Sequence, residues 1–325
     1  MDETHGSLIG GTSPGAANVI AHNRGPGVLI SYYDSGSNTI SGNSIYDNAG
    51  EGIYIYTPCL GVPCFRPDLT YRNHFPGITS VERVGESIVV RGKNLANPDI
   101  PFPQWNATVE FFANRTLDPG GHGEGEVFLG SANMAGLTFE ETLSAPAVGC
   151  IVTATGTTLF GDTSPFSRGV LIDRAPGVIT VNSAADSVDF DLCGGPCGAG
   201  ADGCTLREAI DLANATPGTD TIVFDIAGRR TISLKAPLPP VTDPAVIDGT
   251  TQPGFSGKPL IELDGSLAGR AVGLDLMGGQ SVVKGLVINR FYVGINARSG
   301  DNTIKGNFIG QIPRARLLTA INTWA

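Results

Sequence analysis

Five aspartates in the C-terminal third could do chemistry on a polymer: Asp243, Asp248, Asp264, Asp275 and Asp301. Hydrolysis of a glycosidic bond needs two carboxylates placed across it. A lyase needs a base, plus Ca²⁺ or a cation that neutralises a uronate. Asp248 and Asp264 are the catalytic candidates. Each precedes a glycine, and Asp-Gly is first a turn signal. No histidine falls in residues 227–310, and Lys284, Arg290 and Lys305 read as isolated cations. Turn roles are therefore favoured over catalysis.

Two oxygen-rich loops suit Ca²⁺ by residue type. One holds Asp186, Asp189, Asp191 and Asp202; the other holds Asp118, Glu124 and Glu126. Neither has EF-hand spacing, and no other cofactor is expected. Six cysteines, Cys59, Cys64, Cys150, Cys193, Cys197 and Cys204, include two close groupings in Gly/Pro-rich loops. These favour local disulfides and an oxidising compartment over a zinc site, because no C-x-x-C spacing occurs and no histidine lies near the second group. Asn106, Asn114 and Asn214 begin glycosylation sequons, which a bacterial source would leave idle.

The chain has 325 residues, a net charge of −10, 45 glycines and 22 prolines. Many short strands joined by tight turns fit that composition. An acidic chain has no electrostatic reason to bind nucleic acid or anionic membrane. No apolar stretch approaches the roughly 20 residues of a membrane span. The first residues lack the basic and apolar regions of a signal peptide, so an exported protein would carry its signal outside this chain.

Elements that could position these groups repeat at both ends. Gly273 matches Gly294, Val283 matches Ile304, Gly285 matches Gly306 and Ile288 matches Ile309, all at a 21-residue step. Asn18, Ile20, Gly27 and Ile30 resemble Asn38, Ile40, Gly52 and Ile55 at looser spacing. Short β-branched segments with Gly/Asn corners at this period predict coils of a β-solenoid, stacked strand on strand. Asn18, Asn38, Asn43, Asn302 and Asn307 read as corner residues that tolerate left-handed φ.

Between the repeats, 87–90, 108–112, 127–130, 137–143 and 151–155 read as strands. Val109 and Phe111 alternate with Thr108 and Glu110, and Leu137 and Phe139 with Thr138 and Glu140. That polar-out alternation predicts a β-sandwich of immunoglobulin-like size, closed by the apolar run 169–172. One helix is expected over 205–216. Leu206, Ala209, Ile210 and Ala213 follow helical spacing, Thr205 and Glu208 form a capping box, and Pro217-Gly218 stops it. Such a helix would cover the raw first coil of a solenoid, with Arg207 and Glu208 facing solvent or capping.

CTLREAIDLANATPGTDTIVFDI resembles the bacterial CSLREA domain, which begins many secreted proteins with right-handed parallel β-helix repeats. IDGTTQPGF (247–255) and IELDGSLAG (261–269) look like the segments that follow it, and LIGGTSPGAANVIAHN looks like a late coil. The middle is similar to the sandwich that follows such β-helices. The resemblance implies a mainly β fold: terminal coils at 1–57, a Cys-containing linker at 58–74, a sandwich at 75–172, a cap at 177–226 and new coils at 227–310. The chain would thus join two tandem copies. The family pattern implies a Cys197–Cys204 pair, with Cys59–Cys64 a local pair beside it; the pairing of Cys150 and Cys193 stays open. Residues 311–325 break the pattern and are expected to be a frameshifted tail.

The resemblance speaks for architecture and carries no agreed reaction. Two functions are expected. One is a structural or adhesive segment of a secreted or cell-surface protein, with surface glycans or neighbouring repeat units as partners. The other is a polysaccharide-active enzyme, a uronate lyase or glycoside hydrolase.

Overall fold

The computed structural model describes residues 6–31, 37–56, 76–94, 107–118, 121–134, 138–159, 161–187, 192–193, 197 and 203–310. The protein is mainly β, with one α-helix among the described residues. It divides into two compact units, Met1–Arg174 and Ala175–Ala325.

The second unit is built on parallel ladders. Val178–Val181, Asp220–Phe224, Ala245–Asp248, Val282–Lys284 and Thr303–Lys305 form one. Thr231–Ser233, Ile261–Asp264, Leu286–Asn289 and Phe308–Ile309 form the second. Val272–Leu276 pairs with Val293–Ala297 in the third. Val283 lies opposite Ile304 and Ile288 opposite Ile309, so the 21-residue step is the register of successive turns of chain. Side chains alternate across each strand. Ile222, Ile247 and Val283 therefore stack as one fully buried column, and Ile232, Leu263 and Ile288 as another.

The helix α1, Leu206–Asn214, caps this unit. Thr205 accepts from the Glu208 N–H while the Glu208 carboxylate accepts from the Thr205 N–H. Leu206, Ala209, Ile210 and Ala213 are all buried, and the helix packs on Val178–Val181 and Asp220–Phe224. Arg207 departs from expectation. It is buried rather than solvent-facing, because Asp186 and two backbone carbonyls take up its guanidinium.

In the first unit, Leu8–Gly10, Val19–Ala21 and Val28–Ser31 pair in parallel with Thr39–Ser41, Ser44–Tyr46 and Ile53–Tyr56. Gly27 and Ile30 do face Gly52 and Ile55. The match of Asn18 and Ile20 to Asn38 and Ile40 is corrected: Ile20 lies opposite Ile45, and Asn18 bonds Asn43. The Asn-x-Ile phrase occurs at two corners of one turn, and phrase matching alone selects the wrong corner.

Residues 76–171 form two antiparallel sheets. Val127–Met134, Ala107–Asn114, Ile151–Thr157 and Val170–Leu171 make one; Thr138–Ser144, Ser87–Asn94 and Pro76–Val84 make the other. Strand Pro76–Val84 is not among those that the sequence pattern marks. Val81, Ile88, Val90, Val109, Phe111 and Val152 fill the space between the sheets. The polar-out reading of Glu110 is overturned, because that residue is only 3% exposed. Its strand is buried on both faces: Val109 and Phe111 enter the inter-sheet core, while Glu110 and Phe112 turn toward the coils. Glu140 is exposed, as the alternation predicts.

Candidate functional site

Three of the five aspartates singled out in the second unit, Asp248, Asp264 and Asp275, are tied into ion pairs between adjacent turns. Asp248 bonds the Thr250 N–H at 3.0 Å and the Lys284 ammonium at 2.8 Å. Burial opposes its ionisation, yet Lys284 and Thr250 outweigh burial and hold the carboxyl below its ordinary value. Arg290 forks onto Asp264 at 2.6 Å and Glu262 at 2.8 Å. Arg298 bonds both oxygens of Asp275, at 2.9 and 2.8 Å. Asp243 accepts from the Gly218 N–H, and Asp301 sits at a corner with φ of 63°. The reading of Lys284 and Arg290 as isolated cations is thus corrected. Each faces a carboxylate on the preceding turn, 36 and 26 residues back, a distance that linear inspection does not join.

These pairs make stability depend on pH. Arg290 holds the Asp264 carboxyl down to about 2. A carboxyl lowered by folding stabilises the folded state above its unfolded value, about 3.9, and loses that contribution as pH falls through the folded value. The second unit is therefore expected to lose stability between about pH 4 and pH 2. In Arg290→Gln that slope should flatten. Urea midpoints measured across the interval check this, and an unchanged slope would refute the role given to Arg290.

The two Ca²⁺ groupings do not form liganding sets in the described residues. Asp186 is held by Arg207, and Asp189, Asp191 and Asp202 lie outside the described residues. Glu126 pairs with Arg115 at 2.6 Å. Asp118 accepts from the His122 N–H, and Glu124 accepts from the Asn48 N–H at 3.0 and 3.2 Å. Cys197 and Cys204 form a disulfide with Cα atoms 4.9 Å apart, next to the helix N-terminus. Cys150 takes part in a disulfide, and so does Cys193. The expected Cys59–Cys64 pair and the tail at 311–325 fall outside the described residues.

The first unit brings together groups that the sequence keeps apart. Among the described residues no further turn pairs with the edge of its second turn, and the sheets supply partners. Glu110 accepts from the Ser41 hydroxyl at 2.5 Å and the Gly42 N–H at 2.9 Å. Thr163 Oγ1 accepts from the Ile40 N–H, and the Thr163 N–H donates to the Asn38 carbonyl. Ile45 and Gly125 exchange both backbone bonds at 2.9 Å. Phe166 closes the seam against Phe112, Ile45 and Ile53. Between turns, Asn43 and Asn48 accept from Asn18 and Asn23 and donate back to the carbonyls of Ile9 and Ile20. These asparagines satisfy the backbone at corners where strand pairing lapses, but the left-handed φ expected of Asn18, Asn38, Asn43, Asn302 and Asn307 is corrected: it falls on other corner residues, as at Ser37 just before Asn38 and Asp301 just before Asn302.

Beside the seam lies a cleft of about 500 Å³ lined by His22, Asn23, Asp47, Thr116, Asp118 and Glu124, among others. His22 and Asp47 sit one residue past the paired strands of successive turns, both with left-handed φ, at 58° and 51°. Such a backbone is costly for a residue with a side chain, and holds both at one corner. Burial raises the Glu124 carboxyl above its ordinary value; Asn48 opposes this and the Asp47 charge adds to it. Burial, with Arg168 nearby, pushes His122 down to about 4, so it is neutral at physiological pH. Chemically, the cleft offers carboxylates, amides and the His22 imidazole, which suit a hydroxyl-rich ligand. Sequence reading reached Asp118 and Glu124 but missed Glu110, His22 and Asp47. A signal for the last two exists: a polar residue followed by Asn closes each strand, as His22-Asn23 and Asp47-Asn48.

No helix among the described residues is long and apolar enough to cross a membrane. No protein-family model matches the chain, and no curated protein matches it.

Proposed function

We propose that the chain is a structural and adhesive segment of a secreted or cell-surface bacterial repeat protein. Its ladders are successive turns of right-handed parallel β-helix, and its antiparallel sheets are an immunoglobulin-like sandwich. The resemblance to CSLREA-domain proteins supports the order: late coils, sandwich, cap, new coils. The observation that carries the reading is the sealed seam. Glu110, Thr163, Gly125 and Glu124 all serve the edge of the last coil in the first unit, so the sandwich ends a solenoid. A terminated solenoid followed by a fresh cap is how a stiff stalk is built from repeating units. Disulfides fit an oxidising exterior.

Such a stalk engages surface glycans weakly and many times over. Several copies of the chain joined in tandem should bind a glycan array or whole cells more tightly than one copy. Equal and negligible binding by both would count against adhesion.

A second reading, a polysaccharide-active enzyme, is favoured by one observation. Glu124, whose carboxyl burial raises above its ordinary value, lines one cleft with Asp47, and glycosidic hydrolysis uses such an acid together with a second carboxylate. It moves the catalytic candidates away from Asp248 and Asp264. If the protein releases reducing or unsaturated ends from a uronate polymer, Asp248→Asn with Asp264→Asn should leave turnover unchanged, while Glu124→Gln should lower it by about a hundredfold or more. Loss of turnover in the first variant would return the chemistry to the coils.

A further inference from the structure

The outward face of strand Thr231–Ser233 carries a row of groups of which only Thr231, whose hydroxyl donates to Glu262 at 3.0 Å, is tied to the ion-pair ladders. Side chains alternate along extended chain, so Arg229, Thr231, Ser233 and Lys235 share one face while Ile232 and Leu234 are buried on the other. This strand is the first of its ladder and pairs on one side only. The row lines a pocket of about 320 Å³, completed by residues 184–187.

The charge there is unusual for a chain of net −10. Arg229 and Lys235 are exposed, and neither has an ion-pair partner among the described residues. Asp186 also lines the pocket, but Arg207 already neutralises it at 2.8 Å. On the neighbouring strand, Glu262 and Asp264 are both engaged by Arg290. Ser187 Oγ is buried and has no hydrogen-bond partner among the described residues. Five residues, 230 to 234, lie between the two cations, and the six steps from Arg229 to Lys235 span up to roughly 20 Å of backbone. A compact anion would meet one of them; an extended chain with acidic groups at intervals meets both.

We propose that this face binds an anionic saccharide chain, with Arg229 and Lys235 pairing to its acidic groups and the hydroxyls of Ser187 and Ser233 bonding its hydroxyl groups. The inference rests on the glycan-binding reading above and names the ligand class and the site.

Calorimetric titration of the full chain with a short oligogalacturonate tests it, beside the methyl-esterified oligomer and inorganic sulfate. The acidic oligomer should bind, more weakly as salt rises. The esterified form and Arg229→Ala with Lys235→Ala should each bind about tenfold more weakly or worse, as expected for two lost charge-assisted contacts. Ser187→Ala should weaken binding without altering its salt dependence. Both cations are exposed and outside the ion-pair ladders, so the thermal unfolding of the double variant should match that of the parent chain. Equal binding of the esterified oligomer, of sulfate, or by the double variant would overturn the site. If tandem copies still adhered to glycans in that case, the adhesive reading would stand without it; no glycan binding anywhere would end both.

Discussion

Arg207→Ala is expected to destabilise the second unit by about 3–5 kcal/mol, the cost of removing one partner from a buried ion pair. The Arg207 side chain is 9% exposed and that of Asp186 2%. Its guanidinium donates to Asp186 and to the carbonyls of Pro237 and Ala236, at 2.6 to 3.1 Å. Asp186 in turn accepts from the Lys235 N–H at 2.7 Å. The pair thus ties the helix, the segment before it and the first coil strand together at one point. Alanine leaves a buried carboxylate and two carbonyls without their donor. Hydrogen exchange in the amides of Leu206–Asn214 should accelerate by about a hundredfold or more, by the same free energy. Arg207→Lys should recover part of the loss, since it restores charge but not the fork. Arg207→Met with Asp186→Leu should recover most of it, because an apolar pair avoids the desolvation of two charges. An exchange rate unchanged in Arg207→Ala would show that the pair contributes nothing net.

Phe166→Ala should cost a similar amount, about 3–5 kcal/mol, but in the first unit and at one seam. The Phe166 ring is 3% exposed and meets Phe112 edge-on at 5.3 Å between centroids. The chain is trimmed to admit it. A Cβ at Gly52 would lie 2.9 Å from the ring, and one at Gly125 2.5 Å from it. Glycine at these two positions therefore reflects close packing rather than turn geometry. Removing the ring leaves a cavity between coil and sheet that neither side can close alone. Exchange should rise first at Ile40, Gly42, Ile45 and Asn48, whose N–H groups bond across the seam. The amides of Ser87–Asn94, in the outer sheet, should keep their protection. Uniform loss throughout the unit would mean that coil and sheets unfold as one, and that the sandwich is no separable end-piece.

Much of the architecture is legible in the sequence. The helix is encoded locally: its apolar spacing, capping box and stop all lie between Thr205 and Gly218. The 21-residue step is equally explicit, because each turn of the last coils buries the same positions and so repeats the same residue types. Most strands of the antiparallel sheets announce themselves by alternation, Pro76–Val84 excepted. Their sidedness does not. Alternation tells which residues share a face, but Glu110 looks like a solvent-facing residue until the coil that covers it is in place. Burial on both faces of Ala107–Asn114 follows from Ser41 and Gly42, 69 and 68 residues away in sequence.

The chemistry divides in the same way. The residue types alone marked Asp248 and Asp264 as candidates and also gave the reason for doubt, the Asp-Gly turn. Only stacking showed their surroundings, by placing Lys284 and Arg290 one turn above them and making both carboxylates rungs of an ion-pair ladder. The cleft of His22, Asp47 and Glu124 and the row of Arg229, Thr231, Ser233 and Lys235 likewise exist only once the turns are wound. Sequence by itself determined which short segments are strand, which is helix, and at what step the coils repeat, because those depend on nearest neighbours along the chain. Tertiary structure decided which charges meet and which faces are covered, because coil stacking makes neighbours of residues 21 to 36 positions apart, and no local pattern records that distance when turns differ in length.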